Sequence, residues 1–386
     1  MASDKHVLYL THDGLCDPLG QSQILPYLTG LSSKGIQFTI ISLEKADAYA
    51  ANRAAIEQIC EHHNINWMAL SYHQSPPVLA TLFDLWRMSS RAKQLMHEQG
   101  IQLIHCRSYV TSLVGLRLKR QIGVPFLFDM RGFWADERVE GGLWNLKNPL
   151  YRIIYRFFKK KEKDFLIGAD HIVSLTENAK QEIQAWDISA APISVIPTCV
   201  DLDLFDPAKI KAEDQIAVRN ALGIKPTDFV VLYLGSWGTW YLTQEMLAIF
   251  KKLKYERPDA KFLIVTADKI QLLDEGIIVT KANRTMVPLY ISLANVALCF
   301  IKPTYSKKAS SATKLGEILA MGIPVVANSG WGDIDVLFQK RICFSGLAIE
   351  KLSVSKSELR AYCMEELNIQ KAIAAYHEIY QLLIKE

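Results

Sequence analysis

The sequence predicts an α/β protein with two doubly wound domains, each containing a parallel sheet. Short apolar runs, typical of buried strands, alternate with helical patterns along almost the whole chain. The chain opens with a strand at Val7–Leu10, a helix at Gln21–Ser33 and a strand at Phe38–Ser42, and a similar alternation starts again at Phe229–Leu234. With 386 residues, the chain is long for one domain and sufficient for two hydrophobic cores.

Composition argues against several classes of protein. A net charge of +4 is too small by itself to indicate a nucleic-acid partner. No uncharged apolar run approaches the ~18–20 residues that a membrane span needs, and the run after Asp4 and Lys5 is too short for a signal sequence. The seven cysteines are scattered without Cys-x-x-Cys pairs, which favours reduced thiols and argues against a zinc site. We therefore expect a cytoplasmic protein without a zinc site.

Further strands of the first half place charged residues at their carboxyl ends. These strands are predicted at Asn66–Leu70, Leu103–His105, Phe126–Asp129, His171–Leu175 and Ser194–Ile196. Ligands bind at the carboxyl ends of parallel strands, so we expect Asp129 and Arg131 in a ligand-binding cleft. The alternative for these charges is a structural ion-pair network. His105, taken alone, is more typical of a buried, hydrogen-bonded histidine.

Two segments of the first half allow two interpretations each. The loop Thr11–Gly20 ends in a glycine but lacks the Gly-x-Gly-x-x-Gly pattern, which argues against NAD and leaves a plain connecting turn as one interpretation. Asn148 and Pro149 begin a helix whose body, residues 151–163, holds six basic residues and one acidic residue. That helix either packs on the core with a solvated basic face or, over residues 149–163, contacts a membrane surface with anionic lipids.

The second half repeats the alternation of the first. The expected elements are strand Phe229–Leu234, helix Thr243–Tyr255, strands Phe262–Thr266 and Ile277–Thr280, helix Val287–Ala294, strands Val296–Phe300 and Val325–Ala327, and a final amphipathic helix, Gln370–Ile384.

The segment Thr313–Ala327 combines a short helix, a Gly-x-Pro stop and a buried strand. Ser310 or Ser311 is expected to cap the helix, whose free N–H groups suit a phosphate. Lys314 lies in the first turn, and Glu317 lies on the side opposite the apolar positions. From spacing alone, a capped surface helix with solvated Glu317 and Lys314 is the competing interpretation.

The segments Val195–Pro207 and Thr313–Ala327 resemble, in the same order, those of glycosyltransferase family 4 (group 1), the retaining enzymes of GT-B fold. The resemblance implies two Rossmann-like domains that face a central cleft. It places an acceptor-side domain at residues 1–200, a nucleotide-sugar-binding domain at 201–365, and a helix at 366–386 that returns to the first domain.

The resemblance also implies a donor site. Glu317 would bind the donor's ribose, with Thr313, Ser311 and Gly235 nearby, and Gly20 would belong to the glycine-containing loop near the donor phosphate. The family's arginine and lysine are missing after Gly235, and Ala309 stands where a glutamate usually contacts the sugar. Among the cations left for the diphosphate, Lys314 is the first choice, and Arg284, Lys307 and Lys308 are further candidates. Asp129, Arg131 and His105 would approach the reacting carbon.

We therefore expect a retaining glycosyltransferase that moves a sugar from a nucleotide-diphosphate sugar to a hydroxyl of a glycan or lipid-linked acceptor, in the biosynthesis of cell-surface glycans or polysaccharides. The resemblance implies no cofactor and no metal. The scattered cysteines favour the cytoplasm, and the basic helix of residues 149–163 allows a location at the inner face of the membrane. A catalytically weakened protein that only binds nucleotide sugars is one alternative. A nucleotide-sugar epimerase of the same fold is another. The donor sugar, the base and the acceptor stay open.

Overall fold

The computed structural model describes residues 5–188, 190–346 and 354–384. The chain divides into two compact units, which we call unit 1 (Met1–Pro197 with Gln370–Glu386) and unit 2 (Thr198–Ile369). The division points predicted from the sequence were residues 200 and 365.

The described residues of unit 1 form a seven-stranded parallel sheet in the order β3-β2-β1-β4-β5-β6-β7. Its strands are β1 (Lys5–Thr11), β2 (Ile36–Glu44), β3 (Asn66–Ser71), β4 (Leu103–Arg107), β5 (Phe126–Asp129), β6 (His171–Ser174) and β7 (Ile193–Val195). Its helices are α1 (Pro18–Gln23), α2 (Leu25–Ser32), α3 (Ala46–His62), α4 (Pro77–Glu98), α5 (Ser108–Ile122), α6 (Trp134–Glu140), α7 (Pro149–Gly168) and α8 (Glu177–Ala185).

Unit 2 has a six-stranded parallel sheet in its described part, in the order β10-β9-β8-β11-β12-β13. Its strands are β8 (Phe229–Leu234), β9 (Ala260–Val265), β10 (Ile277–Thr280), β11 (Val296–Cys299), β12 (Val325–Ala327) and β13 (Cys343–Ser345). Its α-helices are α9 (Ala212–Ala221), α10 (Thr243–Glu256), α11 (Val287–Ser292), α12 (Thr313–Ala320), α13 (Ile334–Gln339) and α14 (Lys356–Glu366). The last helix, α15 (Ile369–Leu383), packs into unit 1.

In each sheet, the strand order reverses next to the first strand of the unit. The reversal lies between β1 and β4 in unit 1 and between β8 and β11 in unit 2. The prediction of two doubly wound α/β domains is therefore confirmed. Such reversal points form crevices at the carboxyl ends of the strands, where α/β domains bind ligands. Within the described residues, no helix is both long and apolar enough to cross a membrane.

One predicted helix is wrong. The expected single helix Gln21–Ser33 is two helices, α1 and α2, with a break at Ile24. Pro26 favours the break because it has no N–H to donate to the carbonyl four residues earlier, and its ring would clash with that carbonyl. Gly20 lies inside α1, which begins at Pro18, rather than in a loop. The helix α13 and the strand β13 were not predicted from the sequence.

Candidate functional site

A loop of unusual composition follows β8 at the point where the sheet of unit 2 reverses. Gly235 begins this loop with a φ of +115°, a backbone conformation that favours glycine. A Cβ atom at Gly235 would lie 2.7 Å from Nζ of Lys314, so the glycine also makes room for that ammonium group. The loop therefore fixes the place where the first turn of α12 meets the end of β8.

Lys314 is buried at this place, with only 8% of its surface exposed. Its Nζ lies 3.6 Å from the ring centroid of Tyr241 and 4.5 Å from that of Tyr233, and it donates to the Tyr233 hydroxyl at 3.3 Å. In the described residues no carboxylate forms an ion pair with Lys314. Burial therefore lowers the pKa of Lys314 to about 8. Lys314 thus places its ammonium group between two aromatic faces. An anion bound beside it would stabilise the positive charge.

The other two lysines of this region differ from each other. Lys307 is buried, and its ammonium lies 3.8 Å from the ring centroid of Trp240. Lys308 is exposed, and its ammonium lies 5.3 Å from the ring of Tyr305. The loop after β8 thus contributes aromatic rings instead of cations: Trp240 contacts Lys307 from the segment before α12, and Tyr241 contacts Lys314 of α12 itself.

Glu317 is buried and forms an ion pair with Arg284. Arg284 is about two-fifths exposed, and its guanidinium lies 4.9 Å from the ring of Phe205. The interpretation of α12 as a surface helix with solvated Glu317 and Lys314 is wrong, because every residue from Lys314 to Ala320 is buried. Arg284, predicted as a cation for the diphosphate, thus pairs with the carboxylate predicted to bind the ribose, and both roles stay predictions.

The predicted cap of α12 is also wrong. Its N-cap residue is Ala312, which has no side-chain acceptor, and the helix begins at Thr313. The Ser311 hydroxyl accepts from the Thr198 amide at 3.0 Å, and the Ser311 carbonyl accepts from the Thr198 hydroxyl at 3.2 Å. Ser311 therefore joins two segments of unit 2 at the start of the helix instead of closing its first turn.

Gly20 has a clear packing role. A Cβ atom at this buried position of α1 would lie 2.1 Å from the Gly14 carbonyl oxygen and 2.6 Å from the Leu15 Cα atom. Only glycine allows α1 to lie this close to the loop after β1. Its predicted contact with the donor phosphate stays a prediction.

The predicted catalytic residues of unit 1 lie together at the ends of β4 and β5. Asp129 and His105 are buried, with His105 Nε2 3.5 Å from Asp129 Oδ2. Two tyrosines of α15 complete the cluster: the Tyr376 hydroxyl donates to Asp129 at 3.2 Å, and the Tyr380 hydroxyl lies 2.6 Å from His105 Nδ1. Burial lowers the pKa of His105 despite the nearby carboxylate, so the imidazole is held neutral.

Two arginines join this cluster. Arg131 and Arg107 each donate to the Gln23 side-chain oxygen at 3.0 Å, and Arg131 Nη1 lies 3.7 Å from Asp129 Oδ1. Burial alone would raise the pKa of Asp129, but Arg131, His105 and Arg107 outweigh burial and hold that pKa below its usual value. These contacts are those of the ion-pair network and the buried histidine that the sequence analysis left open. Catalysis by Asp129, Arg131 and His105 stays a prediction.

The aromatic partners in both units were not singled out from the sequence. Tyr233 and Tyr241 contact Lys314, and Tyr376 and Tyr380 contact Asp129 and His105. A usable signal was the aromatic-rich loop 237–241, although Trp237 itself packs on Tyr233 and Phe262. Over residues 5–188, 190–346 and 354–384, no group of three or more His, Cys, Asp or Glu residues is arranged to hold a metal ion.

Comparison with known proteins agrees with this fold. The family model for Glycosyltransferase Family 4 matches residues 24–204. A D-inositol 3-phosphate glycosyltransferase of Segniliparus rotundus is 27% identical over 238 residues, which cover 58% of this chain and 50% of that protein. The chain spans about half the length of the curated relatives it matches.

Solved structures match along nearly the full length. A glycosyltransferase from Rickettsia africae has a TM-score of 0.69 at 14% identity and covers 99% of both chains. Anabaena Alr3699/HepE in complex with UDP-glucose has a TM-score of 0.68 at 14% identity, over 97% of this chain and 98% of that one. At this identity, the similarity establishes the fold. The family model confirms the resemblance to glycosyltransferase family 4 over residues 24–204, and the solved structures show that the chain has the two-domain α/β fold of the GT-B class.

Proposed function

We propose that this chain is a retaining glycosyltransferase that transfers a sugar from a nucleotide-diphosphate sugar to an acceptor hydroxyl. The observation that carries the proposal is the environment of Lys314. A buried ammonium with no carboxylate partner in the described residues is unfavourable unless an anion joins it. Lys314 lies at the end of β8, at the reversal point of the sheet, where a nucleotide is expected in this type of domain.

The contacts around Lys314 suit a donor diphosphate. The ammonium provides a charge-assisted hydrogen bond, and the first turn of α12 adds backbone N–H groups with the positive end of the helix dipole. Glu317, one turn further along α12, supplies a carboxylate for the ribose hydroxyls, and Arg284 forms an ion pair with that carboxylate. This chain thus replaces the missing arginine and lysine of the family with a lysine from the helix.

The chemical step follows the family's retaining course. The bond between the anomeric carbon and the donor's phosphate oxygen breaks, and the acceptor oxygen forms a bond to that carbon on the same face. The acceptor's proton passes to the leaving diphosphate, so no protein nucleophile is needed. Lys314 stabilises the negative charge that develops on the diphosphate as the bond breaks.

Release of nucleoside diphosphate tests the proposal. The protein is incubated with a panel of UDP, GDP and ADP sugars and with glycan, lipid-linked and inositol phosphate acceptors. UDP-glucose leads the donors because it is bound in Anabaena Alr3699/HepE, and inositol phosphate is included because of the relatives' name. We expect acceptor-dependent release with one donor, a large loss in Lys314→Met, and parent-like release in Lys252→Met, an exposed lysine of α10. Absence of release with every pair would contradict the proposal.

The same assay separates the two alternatives. Ala309, in place of the family's glutamate, favours a protein that binds nucleotide sugars without transferring them. Such a protein would show saturable donor binding and no release with any acceptor. An epimerase would convert one nucleotide sugar into another in the absence of an acceptor.

A further inference from the structure

The first half of α4 presents an apolar stripe to solvent. Its four members recur at the spacing of one helical face. Their exposed fractions are 65% for Leu79, 57% for Leu82, 47% for Phe83 and 66% for Trp86. A different face of α4, which includes Ala80, Met88 and Ala92, is buried in unit 1. The helix therefore has two apolar faces, of which only one is needed for packing.

The outer face of α7 is apolar and basic. Leu150, Ile153 and Phe157 are exposed there. The cations exposed on this helix are Arg152, Arg156, Lys160 and Lys163, and no exposed position of α7 holds an acidic residue. The acidic residues of the helix are engaged elsewhere, because Glu162 is buried against Lys159 and Asp164 pairs with Lys161.

The two faces belong to one layer of unit 1. Both helices pack against α5, so α4, α5 and α7 cover the same side of the sheet. Each helix begins at the carboxyl edge of this parallel sheet, since α4 follows β3 and α7 follows β5 and α6. The stripe of α4 and the first turns of α7 therefore lie at the same end of the layer. We call the two together the α4–α7 surface.

We propose that the α4–α7 surface binds a bilayer that contains anionic lipids. Leucine, phenylalanine and tryptophan side chains enter the boundary between headgroups and acyl chains, and arginine and lysine bind the anionic headgroups beside them. A second copy of this chain fits less well because two such faces would place their cations against each other. Nucleic acid would use the cations but leave the stripe of α4 in water. The proposal is independent of the proposed function.

Vesicle sedimentation tests the proposal with the full chain. We expect binding to vesicles of phosphatidylcholine mixed with phosphatidylglycerol, weak binding to phosphatidylcholine alone, and loss of the difference at high salt. The double variant Phe83→Ser with Trp86→Ser should bind the mixed vesicles at least tenfold more weakly. Arg152→Ser with Arg156→Ser should bind both vesicles equally. These side chains are exposed, so the variants should fold, and thermal unfolding checks that they do.

Matched controls come from unit 2. Leu273→Ser with Tyr255→Ser removes two exposed apolar residues, and Lys252→Ser with Lys269→Ser removes two exposed cations. Both controls should bind vesicles like the parent. Equal binding of parent and Phe83→Ser/Trp86→Ser, absence of binding by the parent, or equal losses in the controls would overturn the proposal. A parent dimer that the same variant converts to monomer would assign the surface to a second copy instead.

Discussion

Among single residues, Lys314 lowers the stability of the protein because its ammonium group is buried. Its ammonium lies between the rings of Tyr233 and Tyr241, where burial lowers the pKa from 10.5 to about 8. In the unfolded chain the same group keeps its proton up to about pH 10.4. Between these two values the unfolded state binds more protons than the folded state, so folding stability rises with pH.

Lys314→Met therefore has a predictable effect on stability. The apolar side chain of similar length removes the cost of the buried charge, so the variant should be more stable than the parent near pH 7. The difference should shrink as pH rises through about 8 toward 10, because the parent's lysine loses its proton. Urea denaturation at several pH values measures both effects, with Lys252→Met as the exposed control. Parallel stability curves for parent and Lys314→Met would contradict this account.

Glu317 has a role that its burial makes testable. Glu317→Gln removes the charged acceptor proposed for the ribose, which costs ~1.5–3 kcal/mol, or roughly ten- to a hundredfold in nucleoside affinity. Folding stability should change little, because Arg284 is 41% exposed and can be solvated. Calorimetric titration with the nucleoside, together with thermal unfolding, separates the two effects. If Glu317→Gln binds the nucleoside as tightly as the parent does, Glu317 is not part of the donor site.

Among the elements, α1 depends on the absence of a side chain at Gly20. A methyl group there would meet the backbone of Gly14 and Leu15, which cannot turn away as a flexible side chain could. Gly20→Ala should destabilise unit 1 by ~1–3 kcal/mol, the usual range for overpacking. Leu19→Ala, at an exposed position of the same helix, is the control. Equal urea midpoints for Gly20→Ala and Leu19→Ala would show that the loop can move aside.

Most strands could be predicted because their apolar runs are short and end at clear stop signals. β5, β8, β10 and β12 have the predicted bounds. Pro26 indicates the break between α1 and α2. The apolar pattern, however, continues across the break and predicts a single helix. β13 is as short as β12, but no Gly-x-Pro segment marks its start as one marks the start of β12.

The site could be predicted only in part. The motif identified Lys314 and Glu317 as candidates, but burial of both depends on packing between distant segments. Tyr233 and Lys314 are 81 positions apart, and Arg284 and Glu317 are 33 positions apart. A single sequence gives no spacing rule for such contacts. The exposed stripe of α4 was not identified either, because an apolar helix face is normally buried.

For the whole molecule, α15 makes unit 1 discontinuous in sequence. Ile373, Tyr376 and Tyr380 are buried in unit 1 although they lie at the other end of the chain. The fragment 1–197 should therefore be much less stable than unit 1 in the full chain, and a peptide of residues 369–386 should restore part of the loss. The fragment 198–369 is the control, since its core is continuous. Hydrogen exchange measures the protection of both fragments. If fragment 1–197 is as well protected as unit 1 in the full chain, the prediction is wrong.

The most direct test of the donor site is calorimetric titration of the parent, Lys314→Met and Lys252→Met with uridine and with UDP. The account predicts that Lys314→Met binds UDP roughly ten- to a hundredfold more weakly, the equivalent of one charged hydrogen bond, while its affinity for uridine is unchanged. Lys252→Met should bind both like the parent. If Lys314→Met binds UDP as tightly as the parent does, the buried lysine is not the diphosphate ligand and the proposed donor site is wrong.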